Sequence, residues 1–308
     1  AANKLPAKEQ LQLIQVLANS YFKANSFAKA AKMYERYFSE GGTDGSARQY
    51  MIQAKSMSGD NAGALKETRA EIQAAEKAGR VPSQTTLEAY AFAVQKSDKV
   101  AYLATLEKLV MHYGKKEYWI NLLNSVERKP EFSSRLSMDL YRLKLAVGQI
   151  SKTSDYMEMA QMAIQDGNAT EAVKIIDQGY KAGALGTGAE AARHGRLKDL
   201  AAKRVAEAKA GLAAAEAAAE KSTDGTALVN LGFSLAAGGE YDKGISLMEQ
   251  DIKKGNLKYT DDADLHLGMA YLMAGKKPAG VKILKNVKGK DGTAELARFW
   301  VIYANQAK

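Results

Sequence analysis

The sequence predicts an all-α protein built from antiparallel helix pairs, and two observations carry this prediction. Only 4 of the 308 residues are proline, and the common residues include alanine, leucine, lysine, glutamate and methionine, all of which favour helices. Apolar residues recur at intervals of three and four along most of the chain, which is the spacing of one helix face. Runs of alternating Val, Ile and Thr, which would predict strands, are almost absent.

A repeated order of small and large residues divides much of the chain into helix pairs. In the first pair the packing residues are Ile14, Leu17, Ala18 and Tyr21 on one helix and Ala30, Tyr34 and Tyr37 on the next. Small Ala18 and Ala30 would let the two helices approach closely, with the bulky residues filling the space around them. The same spacing recurs, so that the pattern defines five segments at 10–42, 46–79, 153–184, 225–255 and 261–290. Small residues take the matching places at Ala160, Ala172, Gly232, Gly244, Gly268 and Gly280.

This spacing resembles the tetratricopeptide repeat family over about half of the chain. The aromatic residue that usually opens the motif is present as Tyr156 in one segment, whereas Ile14, Arg48, Leu228 and Asp264 stand there in the others, and the closing proline is missing. The resemblance implies a right-handed α-solenoid, in which the first helices of successive pairs line a concave wall. It also implies that segments of partner proteins lie along this wall.

The order of the segments predicts three parts. Residues 1–184 form an N-terminal repeat block, in which two divergent helix pairs occupy the stretch between 83 and 147, the second broken at Pro130. Residues 185–222 form a long Ala-rich connecting helix with a thin apolar stripe at Leu197, Leu200, Val205, Ala208 and Leu212. Residues 223–308 form further repeats closed by a capping helix at 294–304. The long helix is interpreted as a spacer, or alternatively as a surface for a partner or for a second copy in a homo-oligomer.

If the family's concave wall carries over, the partner-binding residues are those between the packing positions on the first helices. In the N-terminal segments these are Gln12, Gln15, Asn19, Phe22, Gln49 and Gln53, and in the later segments they are Met157, Gln161, Phe233 and Met269. The amides of the N-terminal wall suit hydrogen bonding to a peptide backbone, although an ordinary solvent-exposed surface would look similar. The later wall is apolar, and its residues could instead pack against a neighbouring repeat or the long helix.

The net charge is +9, and one stretch concentrates it. Between 276 and 290 there are six lysines and no acid, namely Lys276, Lys277, Lys282, Lys285, Lys288 and Lys290. This basic patch predicts, as an alternative function, a binding module for an anionic envelope polysaccharide. The patch has no interleaved aromatic residues, which argues against binding single-stranded nucleic acid.

No arrangement of residues in the sequence indicates catalysis. The chain has no cysteine, which excludes disulfides, thiolate catalysis and cysteine-bound zinc. His112, His194 and His266 lie far apart, and no pair has the spacing of metal ligands on one helix. We therefore expect a protein that is not an enzyme, has no metal site and needs no cofactor.

The expected partner is a protein or peptide, and the expected setting is the bacterial cell envelope. No stretch of 18 apolar residues is free of charges, so no membrane-spanning helix is predicted. The chain opens with Ala1-Ala2-Asn3-Lys4 and lacks an initiating methionine, as it would after removal of a signal peptide or after trimming of the sequence. A periplasmic or secreted location is therefore expected, with the cytoplasm as the alternative.

Overall fold

A computed structural model describes residues 6–222 and 226–306 of the chain. Within these ranges the secondary structure is helical, without a strand, and neighbouring helices pack in pairs. The all-α fold of helix pairs expected from the repeat pattern is thereby confirmed. The opening residues 1–4 and the predicted boundary between 222 and 223 involve residues outside the described ranges. The chain divides into two compact units, Ala1–Tyr113 (unit 1) and Gly114–Lys308 (unit 2).

Unit 1 contains three helix pairs. Its helices are α1 (Ala7–Lys23), α2 (Phe27–Ser39), α3 (Gly45–Met57), α4 (Asn61–Lys77), α5 (Gln84–Val94) and α6 (Lys99–Tyr113). Ala18 and Ala30 are fully buried where α1 and α2 meet, as their small size predicts. Ser83 caps α5, because its hydroxyl accepts a hydrogen bond from the backbone N–H of Thr86 at 3.1 Å.

Leu17 departs from its predicted place in the core, since 44% of its surface is exposed. At the matching position of later repeats Met51, Met159 and Leu267 are 2%, 1% and 5% exposed. Those residues lie on helices that pack against the helix pair before them in the chain. No helix of the described residues precedes α1, so this face of α1 is left uncovered.

Unit 2 begins with two helix pairs and the long helix. These helices are α7 (Lys116–Glu127), α8 (Ser137–Ala146), α9 (Thr153–Gln165), α10 (Ala169–Lys181) and α11 (Ala191–Lys221). After the break at Pro130 a 3-10 turn at Ser134–Leu136 leads into the returning helix α8. The Ala-rich segment forms one continuous helix of 31 residues, which begins at Ala191 and not at the predicted residue 185. At 1.5 Å per residue α11 is about 46 Å long.

Helix α11 packs on different neighbours along its length. His194, Leu197 and Ala201 near its start are buried, and this part contacts α9 and α10. Near its end Leu212 and Ala219 join an apolar cluster with residues of the next helix pair. Leu200, predicted to lie on the packed stripe, is 41% exposed because the contact surface shifts along the helix between these two neighbours.

The rest of unit 2 consists of two helix pairs and a final helix. They are α12 (Thr226–Gly238), α13 (Tyr241–Lys254), α14 (Thr260–Met273), α15 (Lys277–Leu284) and α16 (Thr293–Gln306). Helix α16 covers α14 and α15, but it also contacts α8, and α12 contacts α10. The helices after α11 thus pack against the helices before it. The compact units divide at 113/114 for this reason, whereas the repeat pattern places a boundary at 184.

Candidate functional site

A groove between α3, α4 and α5 in unit 1 contains two of the residues predicted to bind a partner, Gln49 and Gln53. Its volume is about 840 Å³, and we call it the α3–α5 groove. It is lined by Gln49, Ile52, Gln53, Ser56, Asn61, Ala62, Ala64, Leu65, Thr68, Thr85, Ala89, Phe92, Ala93, Gln95 and Lys96. Lys96 is the one charged residue of this lining.

Helical periodicity explains why these side chains share the groove. Gln49, Gln53 and Ser56 are spaced four and three residues apart, so they lie on one face of α3. The same spacing occurs on α5 and just after it, at Thr85, Ala89, Phe92 and Lys96. The capped start of α5 at Ser83 sets the register of this second face. The groove therefore combines amide and hydroxyl groups with an apolar surface.

Gln49 is held in place by a hydrogen-bond network. Its Nε2 donates to Oε1 of Glu71 at 2.5 Å and to Oγ1 of Thr86 at 3.1 Å. Burial raises the pKa of Glu71, although the hydrogen bonds from Thr86 and Gln49 act in the opposite direction. Oε2 of Glu71 is buried and has no partner among the described residues. The donor group of Gln49 is thus already used inside the protein.

Gln53 and Phe92 are the groove residues most available to a partner. Gln53 is exposed, and its amide makes no hydrogen bond with the described residues. Phe92 is 83% exposed, the largest value among the large hydrophobic side chains of the described part of the chain. An exposed aromatic ring beside a free amide can bury apolar area and bond a backbone at the same time.

The residues predicted on α1 mostly hold unit 1 together. Nε2 of Gln15 donates to Oδ2 of Asp44 at 2.5 Å, and Oδ1 of Asn19 accepts from the hydroxyl of Tyr34 at 2.6 Å. Burial raises the pKa of that tyrosine to about 12, with Tyr50 and Asp44 acting in the same direction. Each of these hydrogen bonds joins α1 to the helix or helix cap that packs on it.

The other two predicted residues of α1 differ from each other. The ring of Phe22 meets Phe27 and Tyr50 edge to face, with centroids 5.5 and 5.2 Å apart. Gln12 is exposed. Only Gln12 among the four therefore presents a side chain without a packing or hydrogen-bonding role in the described structure.

In unit 2 three of the four predicted wall residues are enclosed. Met157 is 7% exposed, Phe233 3% and Met269 3%, while Gln161 is exposed. The ring of Phe233 stacks on His266 with centroids 4.5 Å apart. Their burial corrects the expectation of an open apolar wall. Met157 packs in an apolar cluster with residues of α8, α10 and α11. Phe233 of α12 lies against Arg142 of α8, and Met269 of α14 lines a cavity together with residues of α8 and α10. These three side chains instead pack inside the protein, which is the alternative that the sequence left open.

A buried charge network lies behind this packing, and it was not expected from the sequence. Arg142 donates to Oδ1 of Asp139 at 2.6 Å and to both oxygens of Glu171 at 2.8 Å. Nε2 of His266 lies 2.9 Å from the same Oδ1 of Asp139. The spacing of Asp139 and Arg142 on one helix could have suggested their pair, but nothing in the sequence indicates that His266 joins them from 127 residues away.

The basic patch is exposed. All six of its lysines are exposed, and Nζ of Lys276 pairs with Oδ1 of Asp242 at 2.7 Å. The other five make no ion pair with any described residue. Their charge is therefore directed to solvent or to a ligand.

The described ranges contain neither a metal cluster nor a membrane-spanning helix. No group of three or more His, Cys, Asp or Glu side chains that could hold a metal ion occurs in them. No described helix is long and apolar enough to cross a bilayer.

Comparisons with known proteins show a remote similarity. No family model matches the chain. No curated protein matches it either. A solved structure, the TPR2AB-domain:pHSP90-complex of yeast Sti1, is similar with 13% sequence identity, coverage of 97% of this chain and 100% of that chain, and a TM-score of 0.31. A TM-score this low does not establish a common fold.

Proposed function

We propose that the chain is a non-catalytic scaffold that binds a segment of a partner protein in the α3–α5 groove. The observation that carries this proposal is the groove's lining, which joins exposed Phe92 and the free amide of Gln53 to a surface with a single charged residue, Lys96. A surface that only faces water is more often charged. Burying the phenyl ring of Phe92 against a partner would contribute favourable hydrophobic free energy to binding, and the amide of Gln53 would form a hydrogen bond with a backbone group of the segment.

The partner that fits the groove is an extended or helical segment with an apolar side chain. Ile52 and Leu65 extend the apolar surface beyond Phe92. Ser56, Thr85 and Gln53 offer hydroxyl and amide groups along the same groove. Lys96 is the single charge, so the segment is recognised by shape and hydrogen bonding more than by an opposite charge.

Two single substitutions test this proposal, and each has a matched control. Phe92→Ala removes the exposed ring, and Val100→Ala removes an apolar side chain that is 80% exposed on α6, outside the groove. Gln53→Lys places a charge in the groove, and Gln73→Lys places one at an exposed position of α4 that does not line it. All four positions are exposed, so each variant should remain folded.

The measurement is a crosslinking pull-down from extracts of the source organism with quantitative mass spectrometry. We expect the proteins captured by the unmodified chain to fall about tenfold with Phe92→Ala and Gln53→Lys, as losing roughly 1.4 kcal/mol implies. The two control variants should capture them unchanged. Equal capture by all five proteins would show that the α3–α5 groove is not the binding site.

The cell-envelope setting is part of the proposal and has a separate test. The absence of cysteine is compatible with an oxidising compartment, although it does not require one. Fractionation of cells that make the full-length protein with a C-terminal epitope tag should recover it with periplasmic markers. Recovery with cytoplasmic markers would contradict the cell-envelope location, but it would not bear on the proposed binding site in the α3–α5 groove.

A second candidate function rests on the basic patch. Five exposed lysines without ion pairs could bind an anionic polysaccharide. Such binding should weaken steeply as salt rises. The triple change Lys282→Gln, Lys285→Gln and Lys288→Gln should abolish binding to immobilised alginate, whereas a control with Lys66→Gln, Lys181→Gln and Lys253→Gln, at exposed lysines outside the patch, should retain it. Salt-independent binding, or no binding by the unmodified chain, would reject this candidate.

A further inference from the structure

A second cavity lies in unit 2, between the helices before α11 and those after it. Its volume is about 540 Å³, and we call it the unit 2 cleft. Residues of α8, α9, α10, α12, α13, α14 and α16 contribute to its wall. This size falls within the range of about 300–1,000 Å³ that small-molecule sites occupy.

The cleft has an apolar base and a polar opening. Ile175, Met269 and Trp300 line it and are 2%, 3% and 9% exposed, so they lie deep in the cleft. Lys174 and Gln178 line it as well and are exposed, so they lie at the opening. Base and opening together suit a ligand with an apolar part and one polar end.

The indole N–H of Trp300 has no hydrogen-bond acceptor in the described part of the chain. Its Nε1 is also buried. The ring packs edge to face on Tyr303, with centroids 5.6 Å apart, and this contact does not use the N–H. A buried N–H without a partner is unfavourable, and a ligand oxygen could remove that penalty.

The charge of the cleft comes from Lys174. Three charged residues line it, Arg142, Glu171 and Lys174. The guanidinium of Arg142 is paired with the carboxylates of Glu171 and Asp139, to which it donates three hydrogen bonds. Nζ of Lys174 donates only to the carbonyl of Ala237, at 2.5 Å, and no carboxylate of the described residues forms an ion pair with it. One positive charge therefore remains for a ligand, and it matches a monoanion.

We infer that the unit 2 cleft binds a small apolar monocarboxylate, of the class of medium-chain fatty acids. The hydrocarbon part lies against Ile175 and Met269, and the carboxylate accepts from Nε1 of Trp300 and from Nζ of Lys174. This site belongs to a different unit from the α3–α5 groove and takes a different class of ligand. It would add a small-molecule response to a protein-binding scaffold.

Octanoate is the probe, and Trp300 reports its binding. The chain has two tryptophans, so Trp119→Phe leaves Trp300 as the only one. We expect octanoate to change the emission of Trp300 saturably, and octan-1-ol, which lacks the charge, to bind about tenfold more weakly. Isothermal titration calorimetry of the unmodified chain gives the same comparison without a substitution at Trp119, which is itself buried.

Lys174→Met should weaken octanoate binding about tenfold and leave octan-1-ol binding unchanged. Lys181→Met changes an exposed lysine of the same helix that does not line the cleft, and it should have no effect. Phe92→Ala, which tests the α3–α5 groove, should not alter octanoate binding either. The two proposed sites are therefore tested independently of each other.

Three results would overturn the inference. The first is the absence of any saturable signal or heat with octanoate. The second is equal affinity for octanoate and octan-1-ol together with no effect of Lys174→Met. The third is an amidated apolar peptide that binds the cleft more tightly than octanoate, which would make the cleft a second peptide site.

Discussion

A Cβ atom added to Gly232 would lie 2.5 Å from the backbone carbonyl oxygen of Gly244. A Cβ atom added to Gly244 would lie even closer to the carbonyl oxygen of Gly232, so the two backbones touch at this point of the α12–α13 crossing. Neither glycine has a positive φ, so the requirement is one of space and not of backbone conformation. The small residues of the repeat pattern therefore mark the places where two helix backbones touch.

Gly232→Ala should destabilise the protein by about 1–3 kcal/mol, because the added methyl group forces α12 and α13 apart. Urea denaturation followed by circular dichroism measures the change. Gly195→Ala on α11 is the control, since a Cβ atom there meets nothing within 4 Å. That change should stabilise the helix by about 0.5–1 kcal/mol. Equal effects of the two changes would contradict the close approach at Gly232.

Asp139→Asn should destabilise the protein by about 3–5 kcal/mol near neutral pH, because it removes one partner of a buried ion pair. Asp199→Asn, at an exposed position of α11, should be close to neutral. Urea denaturation of the three proteins gives these differences. A small effect of Asp139→Asn would mean that the network at Arg142 does not depend on this carboxylate.

The effect of Asp139→Asn should also depend on pH. Burial by itself would raise the pKa of Asp139, but the charge of His266 and the hydrogen bonds from His266 and Arg142 lower that pKa to about 2, below its ordinary value of 3.8. The carboxylate therefore stabilises the fold fully above about pH 4, and this contribution is lost as pH falls towards 2. Denaturation at pH 5 and at pH 2.5 should show the difference from the Asn variant shrinking at the lower pH.

Asp44→Ala should cost about 0.5–2 kcal/mol, the usual range for loss of a helix N-cap. Oδ1 of Asp44 accepts from the backbone N–H of Ser46 at 2.8 Å, and Oδ2 accepts from Gln15. Asp44→Ser keeps a capping oxygen and should recover most of the loss. If thermal melting shows no loss with Ala, the cap and its bond to α1 contribute nothing measurable.

Glu71→Gln should stabilise the protein at neutral pH. Burial raises the folded-state pKa of Glu71 above 4.5, its ordinary value, so the folded protein holds this proton more tightly than the unfolded chain. Stability therefore falls as pH rises through the folded pKa, and the uncharged variant avoids this loss. Melting temperatures of the two proteins should be similar near pH 4 and should diverge in favour of the variant by pH 7. A variant that melts lower at pH 7 would refute this.

The repeat pattern predicted the helix pairs because their formation depends on local spacing. Ala18 and Ala30 lie at a helix contact, and the Ala-rich segment forms one long helix. These features follow from periodicity, propensity and side-chain size, all of which are readable within a few turns of the chain. The burial predicted for Leu17 and Leu200 was wrong, because their exposure depends on whether another helix lies over them and not on local spacing.

The candidate site was predicted only in part. Gln49 and Gln53 were predicted because the resemblance implies a concave wall formed by the first helices of the pairs, and both line the α3–α5 groove. Phe92 was not identified, although its spacing from Thr85 is regular, because nothing local distinguishes an exposed phenylalanine from a packed one. The hydrogen bond between Gln15 and Asp44 joins residues 29 positions apart, and its formation could not be inferred from either residue alone.

The sequence by itself determined that this chain is helical, that its helices pair, and where the small residues allow close approach. The tertiary structure decided which faces remain open. Met269 and Trp300 became part of the base of the unit 2 cleft, and Gln53 and Phe92 remained accessible, because helices far apart in the chain pack over one surface and leave another uncovered. Burial depends on long-range packing, and a periodic pattern specifies only which face of each helix is apolar.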